Sequence, residues 1–424
     1  MEAQEIEDSD VLRFMSAGHP DRTRLRQDPY KYYARWRRRG GLIRSPLGPW
    51  LALDYDLVDQ IVRNPNFVRE SSVHENQLSL AEKVFLRSLV FRDPPSHTRL
   101  RRILAPIFTN KAIAQRRETT RRVAREILDD LRMREAFDFR SDFASELPMR
   151  LICDLIGMPR EDREMFGAWA EAVRDLQELD HAADGESRMS SIAIPTRKVV
   201  LDNVEHIAIG CLEYFDRLIA QKRRAPTEDL TSVLISLSDA DDAPLSLEEM
   251  VAMLVILHVG GHSTTTDAIS TGQFNLFRFP AQADRIRANH DLVPSAVEEM
   301  LRFDPPVTVG IPRFADIDIV IGGTTVRAGE QIYPLLAAAN RDPKMFDRPD
   351  EFDVGRTPNK HLSFSAGVHF CIGAPLGRQE AQEAFSLLFS EYPPLQCTQS
   401  LDSLEWQDSF PHRGLKELPV KWGY

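Results

Sequence analysis

The run Phe364-Ser365-Ala366-Gly367-Val368-His369-Phe370-Cys371-Ile372-Gly373-Ala374-Pro375 decides how the rest of the chain is read. Gly367 and Gly373 bracket Cys371, so the backbone can turn tightly and bring the sulfur close to something flat. Ala374-Pro375 and the apolar spacing of Leu376, Ala381, Ala384, Phe385 and Leu388 predict a helix that begins just after the cysteine. Proline is tolerated in a first helical turn. The N-terminus of such a helix offers unpaired N–H groups and the positive end of a dipole, and both favour a thiolate over a thiol. A thiolate presented by a tight loop can ligate iron, and on heme iron such a ligand pushes electron density toward O–O cleavage.

Upstream, Leu245-Ser246-Leu247-Glu248-Glu249-Met250 carries a Ser N-cap with Glu three residues on, and Leu245 and Met250 fit a hydrophobic staple. The helix it starts runs through Val251, Leu254, Val255, Ile256 and Leu257 to Gly260-Gly261-His262-Ser263-Thr264-Thr265-Thr266-Asp267, and should stop before Pro280. Its first half is apolar on all sides, which predicts a helix crossing the core. Each glycine costs about 1 kcal/mol relative to alanine in a helix interior, so side chains are missing there for a reason. That reason is either a groove against a cofactor face or a close helix crossing. Thr264 can serve a groove as donor and acceptor, or bond back to its own helix.

The chain has 424 residues, is 42% hydrophobic, and carries 53 Lys+Arg against 64 Asp+Glu, a formal charge of -11. The acidic balance disfavours nucleic acid as a partner. No apolar run is long enough to span a bilayer. Cys153, Cys211, Cys371 and Cys397 form no CxxC pair, and Met1–Asp8 lacks a signal-peptide core, so a reduced cytoplasmic setting is expected. The pattern predicts a mainly α protein with a smaller β region. Its helix-rich lobe covers about 55–302, with β-rich parts at about 40–54, 312–332 and 393–424. Residues 341–370 read as irregular coil, and 179–197 as a long connection of the kind that forms lids.

Three further constellations are weak alone. Glu299 and Arg302 share a helix face at i,i+3 between Pro294 and Pro305-Pro306. His97 and Arg101 lie one turn apart and could bind a carboxylate or phosphate, or form a solvated basic face. Arg99, Arg101, Arg102, Lys111, Arg116, Arg117, Arg121, Arg122 and Arg125 concentrate positive charge in one region of an acidic protein, which suggests a docking face.

Taken together and in order, these motifs resemble the cytochrome P-450 family of heme-thiolate monooxygenases in its soluble bacterial form, from about residue 25 to the C-terminus. Phe364-x-x-Gly367-x-His369-x-Cys371-x-Gly373 resembles the family's heme loop, Glu299-x-x-Arg302 its E-x-x-R helix, and Gly260-Gly261-x-x-Thr264 its oxygen-binding helix. Asn340-Arg341-Asp342-Pro343 and Arg413-Gly414-Leu415 look like further landmarks. The resemblance implies the P-450 fold over 1–424 as one domain, with heme b (iron protoporphyrin IX) buried between the long core helix and the cysteine loop. It implies Cys371 as axial ligand, Phe364 and Gly373 beside the heme, and His97, Arg101, Arg313 and His369 on the two propionates. Glu299 and Arg302 would hold the 341–370 segment. Glu351 stands where the family often has an additional arginine, a place that nearby Arg348 or Arg356 can fill.

The residue before Thr264 is Ser263, where the family most often has an acid. A serine hydroxyl can pass a proton but cannot store one. Asp267, one turn further on, is expected to reach the same face. His258 and His262 are expected to point elsewhere. By family position Phe85, Val259, Val307, Val309 and Phe410 should face a mid-sized lipophilic substrate. The resemblance also implies dioxygen as co-substrate and a monomer. Electrons would come ultimately from NAD(P)H through a separate ferredoxin or flavodoxin. The reading is a monooxygenase that hydroxylates or epoxidises, in bacterial secondary metabolism or catabolism. The alternatives are an oxidase performing desaturation, ring closure or carbon–carbon coupling, and a non-catalytic heme or ligand-binding protein.

Overall fold

In the computed structural model Ser246 caps the long helix as its sequence requires: its Oγ accepts the Glu249 N–H (3.1 Å) and the Glu249 carboxylate accepts the Ser246 N–H (2.9 Å). The structure describes residues 22–69, 86–163 and 194–423, together with Val11, Met15 and Met165. Phe85 and most of the 179–197 connection lie outside the described residues. Six helices frame the site and are labelled in chain order: α1 (Ser96–Leu104), α2 (Arg117–Arg132), α3 (Glu146–Ile156), α4 (Leu247–Arg278), α5 (Val293–Phe303) and α6 (Ala374–Ser390). Helix α4 packs on α3, α5 and α6, and α6 packs on α2. The apolar first half of α4, Met250 to Val259, belongs to one hydrophobic core and its second half, Ile269 to Leu276, to another. Gly260 and Gly261 fall at the junction.

The β-rich parts are short strands. β1 (Leu42–Arg44) and β2 (Trp50–Ala52) form a hairpin, with Gly48 at φ +112° in the turn. β3 (Phe67–Val68) and β4 (Phe137–Asp138) follow before the long helix. The 312–332 region supplies β5 (Arg313–Ala315), β6 (Ile319–Ile321), β7 (Thr324–Val326) and β8 (Gln331–Pro334), and the tail β9 (Leu395–Cys397) and β10 (Pro419–Trp422). The main sheet runs β1-β2-β8-β5-β3, its one parallel pair being β2 with β8. This sheet delivers Arg313 to the interior.

The irregular segment after α5 is held by buried charge. Arg302 forks onto Glu299 (2.8 and 2.9 Å) and donates to the carbonyls of Asn340 and Pro349 (both 2.8 Å). Arg356 supplies the second cation to Glu299 (3.1 Å), whereas Arg348 turns to Asp347 and Glu351. The Glu351 departure is therefore compensated by Arg356. The Asn340-Arg341 and Arg413 landmarks meet at buried Asp304, which accepts from Tyr30 Oη, Asn275 and Arg413, while the Arg341 guanidinium lies between the Tyr30 and Phe303 rings.

Candidate active site

A cavity of about 360 Å³ lies between α4 and the cysteine loop. Cys371 is on its wall, with its N–H donated to the Phe364 carbonyl (2.9 Å). The loop needs its glycine. Gly367 sits at φ +69°, and a Cβ there would come within 3.0 Å of the Val62 carbonyl. Gly373 caps α6, so the helix begins right after the sulfur. Burial pushes the Cys371 thiol up, while the Gly373 and Ala374 N–H groups and the Arg101 charge pull it back.

On α4 the two glycines serve different purposes. A Cβ on Gly260 would meet nothing within 4 Å, so this glycine opens the cavity wall. A Cβ on Gly261 would lie 3.0 Å from Ile152 Cδ1, so this one permits the close crossing of α3. Ser263 and Thr264 also line the cavity, with their hydroxyls donated back to the Val259 (3.2 Å) and Gly260 (2.6 Å) carbonyls. Val259, Val307 and Val309 contribute apolar wall.

At one end the cavity collects arginines and histidines. His97, Arg101, Arg313 and His369 all line it, and the His97 and His369 rings lie 4.2 Å apart. Both ring nitrogens of buried His97, and Nε and Nη1 of buried Arg313, lack hydrogen-bond partners. One acid faces the group: Asp93 Oδ1 lies 3.5 Å from His369 Nε2. Burial, reinforced by Arg101 and Arg69, lowers His97 to about 4; burial chiefly lowers His369 to about 3 and Arg313 to about 10. The two imidazoles are therefore neutral hydrogen-bonding groups at pH 7, and the positive charge comes from Arg101, Arg313 and Arg69. Buried arginines with one acid among them are costly, so this end is built for an anion. Sequence reasoning missed Arg69, which also lines the cavity and donates to the Val90 carbonyl, with Asp93 accepting its backbone N–H (2.7 Å). A lone arginine following a two-residue strand carries no motif.

Two expectations need correction, and a third is qualified. Asp267 does not line the cavity: it is buried against Arg140 (3.3 Å) and the Gly414 backbone, where a Cβ would overlap its carboxylate. It therefore does not share a cavity face with Ser263 and Thr264. Phe410 is core rather than wall, edge-on to Tyr333, and its neighbours Pro411 and His412 take the wall position. The basic stretch is largely neutralised: Arg99 pairs with Glu249, Arg102 with Asp241, Arg117 and Arg121 with Glu383, and Arg125 with Glu391. His262 points, as expected, to Ser145 (2.9 Å), away from the cavity.

The donor set fits heme: a thiol on an apolar wall, and at one end arginines and imidazoles, several of whose nitrogens lack hydrogen-bond partners, for two carboxylates. These features define a pocket for a heme-thiolate enzyme. The chain belongs to the cytochrome P450 family, whose sequence model (Cytochrome P450) matches residues 51–416. It is 36% identical over 405 residues to the cytochrome P450 monooxygenase PikC of Streptomyces venezuelae, covering 93% of this chain and 91% of that one. It is 33% identical over 384 residues to the mycinamicin IV hydroxylase/epoxidase of Micromonospora griseorubida, covering 90% and 91%. Among solved structures, P450BioI in complex with hexadec-9Z-enoic acid ligated acyl carrier protein superposes with a TM-score of 0.84 at 32% identity, covering 95% of this chain and 99% of that one. The protein is thus a P450 monooxygenase, and no helix of the described residues is long and apolar enough to cross a membrane.

Proposed function

We propose that this P450 hydroxylates or epoxidises a mid-sized lipophilic molecule of bacterial secondary metabolism, using heme b with Cys371 as its axial thiolate. The observation that carries this reading is the apolar cavity with Cys371 on one wall and the open Gly260 position on another. Bound there, heme supplies activation of dioxygen with two electrons. His97, Arg101, Arg313 and His369, joined by Arg69, hold its propionates. Phe364 and Gly373 back the cysteine. Val259, Val307 and Val309 orient the substrate and exclude water, and Gly260 leaves room for a small molecule beside the helix. Thr264 presents a hydroxyl at that opening. Electrons come from NAD(P)H through a ferredoxin or flavodoxin docked near the exposed Val368 and Phe370 of the cysteine loop.

A second reading has one observation in its favour. Among the described residues, no Asp or Glu lines the cavity. With Asp267 turned away and Ser263 unable to store a proton, the two protons that dioxygen reduction needs in either reading come from solvent or from a polar substrate group, and a substrate with such a group is suited to desaturation, ring closure or coupling. Mass spectrometry of the product formed under ¹⁸O₂ with a reconstituted ferredoxin system separates the two. One heavy oxygen atom in the product supports monooxygenation, and product without label supports the oxidase reading.

A further inference from the structure

Behind Phe364 lies a group of side chains that neither the heme contacts nor the E-x-x-R network uses. Arg378 on α6 forks onto Glu298 on α5 (Nε–Oε1 2.7 Å, Nη2–Oε2 2.9 Å). His361 Nε2 reaches the same carboxylate (Oε2, 3.1 Å), and His361 Nδ1 accepts the Ser363 N–H (3.2 Å). Nδ1 must keep its lone pair to accept that bond, so Nε2 carries the proton and donates it to Glu298. Burial alone would raise Glu298, but the bonds from His361 and Arg378 hold it at about 2, so the fork stays ionic. The Arg378 guanidinium then lies 4.4 Å from the centre of the Phe364 ring. Phe364 lines the cavity and supplies the carbonyl to which Cys371 donates its N–H. Ser363, the residue between, is fixed by its Oγ to the Leu301 carbonyl (2.7 Å) and by Asn340 Nδ2 (2.8 Å).

We propose that Glu298, His361 and Arg378 form a positioning clamp for the ligand loop: Glu298 and His361 aim the Arg378 guanidinium at the face of Phe364, and this fixes the segment that carries the hydrogen bond to Cys371. The clamp joins the first turns of α6 to α5 across the loop, so the loop cannot shift without breaking an ion pair, a cation–π contact and a buried amide bond together. A lone surface ion pair would contribute little. This one is two-pronged, has a third partner, and each of its charged groups is less than a third exposed.

The clamp rests on the assignment of Cys371 as the ligand, and one experiment on the holoenzyme keeps the two apart. The ferrous carbon-monoxide complex is followed in urea well below the global unfolding midpoint, recording conversion of the red-shifted thiolate Soret band to the unshifted band. Glu298→Gln, Arg378→Ala, Arg378→Lys and His361→Gln are compared with wild type. The proposal expects Arg378→Ala and Glu298→Gln each to convert about tenfold faster, the scale of one charge-assisted hydrogen bond. It expects their double variant to convert no faster than either alone, because they act as a unit. Arg378→Lys should resemble Arg378→Ala, since the fork and the stacking plane are lost although the charge remains. Conversion at the wild-type rate in all four variants, or additive effects in the double variant, overturns the clamp. A wild-type protein that never shows the red-shifted band overturns the ligand assignment first, and the clamp with it.

Discussion

Asp267 and Glu380 show how much a single residue's role depends on segments far away in the chain. Asp267 pairs with Arg140 and packs on Gly414. Asp267→Asn should therefore leave the solvent isotope effect on turnover unchanged and lower thermal stability by about 1–3 kcal/mol, because Arg140 loses its carboxylate. An increased isotope effect with unchanged stability would restore Asp267 to proton delivery. Glu380 on α6 is buried, its Oε2 lacks a partner, and burial pushes it up to about 8 from an ordinary 4.5. Between those values the folded protein keeps a proton that the unfolded chain releases, so stability falls as pH rises through that window. Below it both states are protonated and the penalty vanishes. Glu380→Gln should stabilise the protein at pH 8 by a few kcal/mol, since each pH unit of that window costs about 1.4 kcal/mol. At pH 4 it should do almost nothing. Urea midpoints at the two pH values test this, and an equal gain at both would refute it.

At the scale of elements, local grammar was legible and long-range contact was not. The capping box of α4, the helix after Cys371, the hairpin around Gly48 and the strands after Arg313 follow from patterns within a dozen residues. The division of labour between Gly260 and Gly261 does not, because it depends on where Ile152 of α3 crosses. The E-x-x-R pair was readable, but which arginine completes it depended on how residues 347–356 turn. Arg356 pairs with Glu299 and donates to the Asp347 and Glu351 carbonyls, whereas Arg348 is exposed. Arg356→Ala should cost about 1–3 kcal/mol, since buried Glu299 keeps Arg302 but loses its second cation. Arg348→Ala should cost less than about 1 kcal/mol. Chemical denaturation of the two variants checks the ordering, and equal losses would remove Arg356 from its place in the network.

For the whole molecule, the cation cluster at the cavity and the charge on the outside do different work. The cavity arginines and histidines share a single acid, Asp93, and fit the heme carboxylates. Most cations of the 99–125 stretch are already paired, so reversing Arg117 would disturb nearly buried Glu383 as well as any partner. Lys111 and Arg116 show no ion pair among the described residues and are the cleaner probes. Lys111→Glu with Arg116→Glu should slow reduction by a ferredoxin at low ionic strength, with the difference fading as salt rises. Equal rates at low salt would move the docking face elsewhere. All of this depends on Cys371. The most direct measurement is the absorption spectrum of the ferrous carbon-monoxide complex of the wild type and of Cys371→His. Ligation by Cys371 predicts the strongly red-shifted Soret band of a thiolate complex in the wild type and its loss in the variant even where heme is retained. A Cys371→His protein that keeps that band would contradict it, because the iron would then be held by another cysteine.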